Sequence, residues 1–585
     1  MRLSTVVLPL TFAVTCAGAE CKLERFAELP VTMMGTRPVI AGSVNGVDAL
    51  FIADSGAPFS TLTRDAGEKF KLRWEPVPNW LHVRGIKGGD VDVRLGIAKD
   101  FTLTGYGTGA VQHGVEFLVG GNAFGSGTAG VIGQNVIGRS DTEYDLGNGV
   151  IRLIHSRDCG NLALAYWSKD SAIAVVSIRE TSTAEPQLIG TATLNGARIV
   201  IVFDTGASQS VLNFRGARRA GVKLDGPDVQ AGGTLVGLRS DAIDSWITRF
   251  DSLDLGGEVI KNARLRIADI DLALGADMLL GADFFLSHRI YVASSQRKIY
   301  FTFNGGHVFD LRPAGESVPA SAQPGDEGLP STSAGFQRRG AALMGRGEIV
   351  RAIADFDRAI ELDPSDPAGY SQRGRARWRS GDPARAMDDF DKALQLKPDE
   401  VPILIERGAL RLSQNNESGA AADFDQATNL APNDASVTLQ IGEIFARHRH
   451  YAQAVVLYDR WAIAHPRDDR LAFVLGERCW VRALSGDNPD RAISDCNGAL
   501  SNGQRTAHAF EGRGLVWLRL KNYDKAIADF KDSLRLESRD AYALYGLGVA
   551  ELRKGMQVAG ENDLKAAAAL NASADDDFKR IGLAP

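Results

Sequence analysis

Short apolar runs separated by Gly and Asn fill residues 28–160 and again residues 170–305. Val, Ile and Thr are frequent in these runs, and short runs of this kind between turn-forming residues are typical of β-strands. Both stretches are therefore predicted to be all-β. After residue 333 this pattern is replaced by a regular period of 34 residues, which indicates a repeat architecture.

Two of the apolar runs end in nearly the same loop. Leu50–Ala53 leads into Asp54–Ala57, and Val200–Phe203 leads into Asp204–Ala207, at a constant offset of 150. Each loop reads Asp, then Ser or Thr, then Gly and Ala. A lone Asp-Thr-Gly is weak evidence because Asp and Gly are common turn residues, but two copies in register indicate a duplicated unit.

The internal similarity extends beyond these two loops. Gly85–Gly88 matches Gly237–Ser240, and Ala129–Gly133 matches Asp277–Gly281. Two homologous β lobes are the simplest account. We place them at residues 20–165 and 166–311.

The period of the C-terminal part is marked by seven glycines: Gly340, Gly374, Gly408, Gly442, Gly476, Gly514 and Gly548. Ala, aromatic and Pro positions follow the same step. This pattern resembles the tetratricopeptide repeat, a pair of antiparallel helices. The resemblance implies an all-α solenoid of seven repeats over residues 333–574. A Pro-, Ser- and Gly-rich linker precedes it at 312–332, and a C-terminal tail follows at 575–585.

Composition and charge indicate a soluble globular chain of several domains. The 585 residues carry a net charge of -6, and no long Lys/Arg run suggests nucleic-acid binding. Residues 1–19 are predicted to be an export signal, because Arg2 precedes an apolar stretch that ends in the small residues Ala17-Gly18-Ala19. The alternative is an ordinary buried N-terminal segment. The expected location is periplasmic or secreted, without a transmembrane segment in the mature chain.

Removal of the signal leaves four cysteines in a compartment that permits disulfides. We favour a bond between Cys21 and Cys159, which bracket the first Asp-containing unit, and a bond between Cys479 and Cys496 within one repeat. Buried free thiols are the alternative for both pairs.

The two Asp loops resemble those of the retropepsin-like and pepsin-like aspartic peptidases. The Asp-Ser/Thr-Gly-Ala form is closer to the retroviral type, whereas two lobes in one chain match the pepsin arrangement. The resemblance implies that Asp54 and Asp204 are the catalytic pair. It also implies that the neighbouring loop residues support them: Ser55, Gly56, Ala57, Thr205, Gly206 and Ala207.

The chemistry of such a pair explains the residue types. Two facing carboxyl groups share one proton, because both cannot be ionised at close range. The ionised group takes a proton from water, and the protonated group donates to the developing oxyanion. The resemblance implies that the hydroxyls of Ser55 and Thr205 hydrogen-bond across the loops. The alternative is that these hydroxyls only cap a turn.

The Gly-rich segments around Gly85, Gly88 and Gly237 are candidate flaps over an extended substrate, although surface hairpins explain them nearly as well. The first of these segments has no tyrosine where pepsin-like enzymes usually carry one, which favours the retropepsin-like comparison. We expect no metal and no cofactor, because metal-ligand spacings, a Gly-x-Ser-x-Gly elbow and a phosphate-binding loop are not found in the sequence.

The first helix of each repeat is expected to line a concave groove. By position relative to the repeat glycine, the candidate groove residues are Arg375, Trp378, Leu412, Glu443, Glu477, Trp480, Glu511 and Tyr545. This mixture suits a protein or peptide surface. For the two tryptophans, packing between repeats is an equal alternative.

The sequence thus predicts a multidomain protein, with an all-β bilobal acid-protease-like domain followed by an all-α tetratricopeptide solenoid. We expect an exported aspartic endopeptidase whose repeats recruit a protein substrate or partner. The alternative is a catalytically silent scaffold that holds peptides and acts through the repeat groove.

Overall fold

The computed structural model describes residues 11–14, 21–78, 93–105, 110–120, 127–168, 172–180, 186–224, 226, 228–236, 242–306, 308–309, 311, 330–432, 434–466, 468, 470–501, 506–537 and 540–585. A strand-rich part is followed by a part made of helices, as the sequence predicts. The change falls between the strand that ends at Phe303 and the helix that begins at Ser333.

Two successive sets of strands form the two lobes. The strands up to the end of the first lobe are β1 (Thr11–Val14), β2 (Cys21–Met34), β3 (Arg37–Val44), β4 (Val47–Ala53), β5 (Thr61–Leu62), β6 (Arg73–Glu75), β7 (Arg94–Leu103), β8 (Gln112–Val119), β9 (Gly130–Ile132), β10 (Asp141–Asp145) and β11 (Val150–Arg157). Those of the second lobe are β12 (Ala174–Ser177), β13 (Ile189–Leu194), β14 (Ala197–Phe203), β15 (Val211–Asn213), β16 (Gln230–Val236), β17 (Ala242–Leu255), β18 (Glu258–Ala268), β19 (Met278–Leu280), β20 (His288–Ala293) and β21 (Lys298–Phe303). Short helices within the lobes are α1 (Arg64–Lys69), α2 (Gln134–Ile137), α3 (Phe214–Arg219) and α4 (Ala282–Ser287).

Each lobe is built on the same sheet order. In the first lobe the order is β3-β4-β9-β5-β8-β7-β6, and in the second it is β13-β14-β19-β15-β18-β17-β16. The strand before each Asp loop pairs in parallel with a short strand near the end of its lobe, β4 with β9 and β14 with β19. The duplication seen in the sequence is therefore a duplication of topology.

A sheet shared by both lobes joins them. Its strand order is β12-β21-β20-β10-β11-β2, and within this sheet the lobes meet at the antiparallel pairing of β10 with β20. In that pairing Glu143 lies opposite Tyr291, and these two residues are equivalent in the duplication at an offset of 148. The pseudo-two-fold axis that relates the lobes therefore passes beside this pair.

The N-terminal strands are held to the first lobe. β1 pairs with the beginning of β2, and a disulfide joins Cys21 in β2 to Cys159 just after β11. The export signal predicted over residues 1–19 stays a prediction, since most of that segment lies outside the described residues.

After the lobes, the described part of the chain contains fourteen helices in seven consecutive pairs. They are α5 (Ser333–Gly345) and α6 (Ile349–Leu362), α7 (Pro367–Arg379) and α8 (Pro383–Leu396), α9 (Val401–Ser413) and α10 (Glu417–Leu430), α11 (Ala435–Arg447) and α12 (Tyr451–Ala464), α13 (Leu471–Ser485) and α14 (Pro489–Ser501), α15 (Ala507–Arg519) and α16 (Tyr523–Leu536), and α17 (Ala541–Arg553) and α18 (Gln557–Leu570). A last helix, α19 (Ala574–Arg580), spans more than half of the segment predicted as the C-terminal tail, and its Phe578 is buried.

The repeat glycines let the two helices of a pair approach closely. A β-carbon at Gly374 would lie 2.9 Å from the ring of Phe390, and one at Gly442 would lie 2.9 Å from the ring of Tyr458. An Arg on the first helix also pairs with a buried Asp on the second in most repeats, as Arg373 does with Asp389 at 2.7 Å. The same pair recurs as Arg339–Asp355, Arg407–Asp423, Arg478–Asp495 and Arg513–Asp529.

The chain divides into two compact units. The first consists of residues 1–233 and 245–396, so that it holds both lobes and the first two helix pairs. The second consists of residues 234–244 and 397–585, which include the last five pairs. Within the second unit a disulfide joins Cys479 on α13 to Cys496 on α14. Among the described residues, no helix has the length and apolar character needed to cross a membrane.

Within the first unit, α5 contacts both lobes. On the first-lobe side, a β-carbon at Gly149 would lie 2.5 Å from Cβ of Arg338 in α5. A β-carbon at Gly345 in α5 would lie 2.6 Å from the carbonyl oxygen of Gly35. On the other side, a β-carbon at Gly345 would lie 3.4 Å from Leu286 of the second lobe. Ala341 and Ala342 of α5 share one apolar core with the lobes. The first repeat is therefore part of the same packed body as the β domain.

Candidate active site

The two Asp loops begin where buried strands end. The three apolar residues before each Asp, 51–53 and 201–203, are buried, and Phe51 and Phe203 are fully buried. The backbone N–H of Asp54 donates to the carbonyl of Ile132 at 3.0 Å, and that of Asp204 donates to Leu280 at 2.9 Å. The parallel strands β9 and β19 thus fix the direction in which each Asp leaves its sheet.

Reciprocal hydrogen bonds lock the two loops together. The Ser55 N–H donates to Oγ1 of Thr205 at 2.9 Å, and the Thr205 N–H donates to Oγ of Ser55 at 3.0 Å. Each hydroxyl also donates across the axis, Ser55 to the carbonyl of Phe203 at 2.9 Å and Thr205 to that of Ala53 at 2.7 Å. Both side chains are 0% exposed. Because each hydroxyl accepts one bond and donates another, the lobes are held in one register at this point.

Backbone amides of each loop hold the carboxyl group of its own Asp. Oδ1 of Asp54 accepts from the N–H groups of Gly56 and Ala57 at 2.8 and 2.9 Å. Oδ1 of Asp204 accepts from those of Gly206 and Ala207 at 2.9 and 3.0 Å. Oδ1 of each carboxyl group is thereby fixed by two amides of its own loop.

Glycine is required between the carboxyl groups. A β-carbon at Gly56 would lie 2.6 Å from Oδ1 of Asp204, and one at Gly206 would lie 2.8 Å from Oδ1 of Asp54. These distances are shorter than any ordinary contact of a β-carbon. A side chain at either position would push the opposite Asp away, so the sequence of the loops is set by the approach of the two carboxyl groups.

The carboxyl groups of Asp54 and Asp204 hydrogen-bond to each other. Burial raises the pKa of Asp54 above its usual range, and hydrogen bonds from Asp204 and the loop amides offset part of that rise. Burial also raises the pKa of Asp204, and the charge of Asp54 and the bond to it raise the pKa further, so that it lies well above the usual value. Burial and mutual charge therefore favour a state in which the two carboxyl groups share one proton.

The support beneath the two loops differs between the lobes. Nε2 of the buried Gln134 donates to the carbonyl of Ser55 at 2.9 Å, and Gln134 also hydrogen-bonds to the hydroxyl of Tyr144. At the equivalent positions the second lobe has Ala282 and Val292. The Asp54 loop thus accepts a hydrogen bond from the side chain of Gln134, which Ala282 cannot provide to the Asp204 loop.

A second pair of supports is shared by the lobes. Oγ of Ser60 donates to Asn135 at 2.7 Å, and Oγ of Ser210 donates to Asp283 at 2.7 Å. These residues, like Gln134, were not among our predicted site residues. The match between Val131-Ile132-Gly133 and the corresponding residues of the second lobe was the signal that could have led to Asn135 and Asp283, which follow it.

The candidate flap residues Gly85, Gly88 and Gly237 lie outside the described residues. Among the residues that the structure describes, no group of three or more His, Cys, Asp or Glu side chains is arranged to hold a metal ion.

The predicted groove residues divide into accessible and buried ones. Arg375 is exposed, and Trp378, Glu443, Glu477 and Trp480 are half-buried. Three further predicted groove residues are buried: Leu412, Glu511 and Tyr545. For Tyr545 the expectation was wrong because α19 covers this side chain, whose hydroxyl bonds to Asp575 at 2.5 Å. The ring of Tyr545 packs against Phe578 of the same helix.

Comparisons with known families agree with this division of the chain. A family described as aspartyl protease matches residues 190–284, which lie in the second lobe. A family described as tetratricopeptide repeat matches residues 338–401, 482–538 and 522–578. No curated protein matches the chain significantly.

Solved structures similar to the chain include repeat proteins. One is a tetratricopeptide repeat protein from Parabacteroides merdae, at 18% identity over 40% of this chain and 84% of that chain, with a TM-score of 0.29. Another is yeast Tom70, at 18% identity over 43% of this chain and 52% of that chain, with a TM-score of 0.31. A third is pilF of Pseudomonas aeruginosa, at 18% identity over 35% and 91%, with a TM-score of 0.29. The protein combines an aspartyl protease domain with tetratricopeptide repeats in one chain.

Proposed function

We propose that this protein is an exported aspartic endopeptidase whose repeats recruit a protein substrate or partner. The observation that carries the proposal is the hydrogen-bonded pair Asp54–Asp204, in which burial and mutual charge raise the pKa of Asp204 well above its usual range. A pair that shares one proton at close range has the groups needed for both acid and base catalysis.

The chain's own residues define the steps. Ionised Asp54 takes a proton from a water molecule as the water attacks the peptide carbonyl, while protonated Asp204 donates a hydrogen bond to the developing oxyanion. The amides of Gly56, Ala57, Gly206 and Ala207 hold Oδ1 of their own Asp and so fix the orientation of both carboxyl groups. The reciprocal hydrogen bonds between Ser55 and Thr205 keep the two carboxyl groups aligned during the reaction.

Export is part of the proposal and is supported by two features. The N-terminal segment has the charge and small-residue pattern of a cleaved signal. The disulfides Cys21–Cys159 and Cys479–Cys496 suit an oxidising compartment. Mass spectrometry of the protein purified from the cell envelope or medium should give a mature chain that begins at Glu20. A chain that retains residues 1–19 and stays in the cytoplasm would contradict export.

The catalytic part is tested by single substitutions at the pair. We expect Asp54→Asn and Asp204→Asn each to abolish cleavage of a diverse peptide library between about pH 3 and 7, because either change removes one of the two required protonation states. Asp48→Asn is the matched control, since it makes the same chemical change at an exposed position on the strand that leads to Asp54. Circular dichroism should show that all three variants are folded.

The same experiment decides between the protease and the scaffold. Cleavage by the wild-type protein and by Asp48→Asn, which a statine-type inhibitor blocks, is the result we expect. Cleavage that survives in either active-site variant would exclude the proposed pair. A wild-type protein that cleaves no peptide at any pH would favour the catalytically silent scaffold.

A further inference from the structure

One row of side chains crosses the sheet of the second lobe on the face opposite its core. The row runs over β14, β19, β15, β18 and β17 and consists of Val202, Leu279, Val211, Arg266 and Ile247. Residues that pair directly across strands share one face of a sheet. The core side chains of Phe203, Leu212 and Ile267 occupy the other face. Since side chains alternate along a strand, Asp204 leaves β14 on the same face as Val202, so the row lies beside the Asp54–Asp204 pair.

The first lobe has an equivalent row without a charge. It runs over β4, β9, β5, β8 and β7 and consists of Ile52, Val131, Thr61, Leu118 and Leu95. Arg266 therefore takes the place of Leu118 in the duplication. In the loops after the two Asp residues, Gln209 takes the place of Phe59. The surface beside Asp54 is apolar at these positions, whereas the surface beside Asp204 carries a cation and an amide.

The contacts of Arg266 agree with this face of the sheet. Its Nε donates to Oε1 of Gln209 at 2.9 Å, and its Nη1 donates to the carbonyl of Gly232 and to Oγ of Ser245. Gly232 leaves the space for the guanidinium group, because a β-carbon there would lie 2.9 Å from Nη1. Gln209 and Ser245 are each two residues from a member of the row, Val211 and Ile247. The side chain of Arg266 thus extends over the row on the side of the Asp204 loop.

Arg266 is buried without a bound anion. Only 8% of the residue is exposed, and arginine is rarely buried to this extent without a paired carboxylate. Among the described residues Arg266 forms no ion pair, and its Nη2 makes no hydrogen bond. The Nε2 group of Gln209 likewise makes no hydrogen bond in the described part of the chain. Two donors therefore lie next to each other without an acceptor.

The nearby carboxyl group of Asp283 does not take this role. Its charge acts on Arg266, whose pKa burial lowers and Asp283 raises in part. The carboxyl group of Asp283 is, however, bound by the N–H and the hydroxyl of Ser210 and by the N–H of Phe284. Burial also raises the pKa of Asp283, which disfavours its ionised form. The guanidinium group, which stays protonated, is left without a directly bound carboxylate.

We propose that Arg266 and Gln209 form a subsite that binds the side-chain carboxylate of an Asp or Glu residue in the substrate. A carboxylate has two oxygens, which can accept from Nη2 of Arg266 and from Nε2 of Gln209. The equivalent surface with Leu118 and Phe59 suits an apolar side chain. The substrate is thus a protein segment with an acidic residue on one side of the cleaved bond and an apolar residue on the other. The inference rests on the proposed function, since it places the peptide beside Asp54 and Asp204.

The spacing of the strands indicates where the acidic residue lies in the substrate. Arg266 is three strands away from β14 in the sheet order, which corresponds to about 14 Å at roughly 4.8 Å between strands. An extended peptide advances about 3.3 Å per residue. Because the side chains of Arg266 and of the bound residue both reach toward each other, we expect the acidic residue about two to four positions from the cleaved bond.

The first test measures binding and does not depend on cleavage. The probes are fluorescent dodecapeptides of Ala, Leu, Ser and Thr in which a single Glu occupies each position in turn. A matched set carries Gln in place of Glu, which keeps the shape and removes the charge. Anisotropy is measured on the full-length Asp54→Asn protein. We expect Glu at the favoured positions to bind at least 10-fold more tightly than Gln at the same positions.

Two substitutions locate this preference at the subsite. Arg266→Leu introduces the residue found at the equivalent position of the first lobe and should reduce the ratio of Glu to Gln affinities to about 1. Gln209→Ala should reduce the ratio about 3-fold. The control Arg249→Leu makes the same change at an exposed position on β17 and should leave the ratio unchanged. Thermal unfolding of each variant shows whether it is folded.

The second test uses the protein with Asp54 and Asp204 intact. The values of kcat/KM for the Glu and Gln peptides should differ by the same factor as the affinities, and Arg266→Leu should remove the difference. A protein that binds with the Glu preference but cleaves no peptide would contradict the protease and support the subsite. Cleavage without any preference between Glu and Gln would contradict the subsite and leave the Asp54–Asp204 pair in place.

Three binding results would overturn the inference. The first is equal affinity for the Glu and Gln peptides at every position. The second is a preference for Glu that survives in both Arg266→Leu and Gln209→Ala. The third is no binding of any Glu peptide up to 1 mM.

Discussion

The hydrogen bonds between the two Asp loops predict that removal of a single hydroxyl lowers both stability and activity strongly. Thr205→Val keeps the shape of the side chain but removes the acceptor of the Ser55 N–H at 2.9 Å and the donor to the Ala53 carbonyl at 2.7 Å. Because the site is fully buried, no water replaces these bonds. Loss of two buried bonds, with an amide left unpaired, costs about 2–4 kcal/mol.

The chain offers a matched control for this change. Thr205→Ser keeps both hydrogen bonds and reproduces the residue found at the equivalent position, Ser55, so that only a methyl group is lost. We expect it to cost about 1 kcal/mol. The difference between the two variants isolates the hydroxyl from the packing of the methyl group.

Hydrogen exchange of the full-length protein measures the effect where it arises. In Thr205→Val the segment around Ser55 should exchange roughly 30- to 1,000-fold faster than in the wild type, as 2–4 kcal/mol implies. Peptide cleavage should fall by about 100-fold, since a small displacement of the carboxyl groups spoils their alignment. Equal exchange and equal cleavage in Thr205→Val and Thr205→Ser would refute the idea that the hydroxyl holds the lobes in register.

Four further predictions follow from contacts of the site and the repeats. Gln134→Ala removes the hydrogen bond to the Ser55 carbonyl and should lower kcat/KM and shift the pH profile of kcat/KM. If Gln134 only stabilises the fold, the pH profile should not change. Cleavage should be lost as the pH rises through the raised pKa of Asp204 and lost again as acid protonates Asp54. Because the pKa of Asp204 is raised in the folded state, its contribution to the free energy of unfolding should be fully present below the pKa of Asp in the unfolded chain and be lost as the pH rises. This pH dependence, measured by unfolding at several pH values, should disappear in Asp204→Asn. Reduction of Cys479–Cys496, which closes a loop of 17 residues, should destabilise the repeats by about 3 kcal/mol, and a Cys479→Ala/Cys496→Ala variant should no longer respond to the reductant in thermal unfolding.

The sequence was informative wherever the chain repeats itself. The offset of 150 between Asp54 and Asp204 predicted two lobes and a central pair, because duplicated units that pack about an axis bring equivalent residues together. The step of 34 residues predicted the helix pairs for a similar reason, since each repeat has to bury the same face against its neighbour.

Features without a repeated counterpart were not predictable in this way. Gln134 corresponds to Ala282, so comparison of the lobes gives no reason to select it. Tyr545 has the position of a groove residue, but the last helix covers it, and such a cap depends on contacts outside the repeat pattern. The packing of α5 against the lobes was hidden for the same reason, because the preceding Pro-rich segment suggested a division between domains.

The packing of α5 against the lobes determines which fragments of the protein can fold on their own. Ala341 and Ala342 are buried in the same core as the two lobes, and Gly345 approaches Gly35 too closely for a side chain. Proteolytic nicking within residues 312–329 would therefore leave the first repeat attached to the β domain without a covalent link. A fragment that starts at Ser333 would expose an apolar surface and tend to aggregate, whereas one that ends after Leu396 retains the whole first unit.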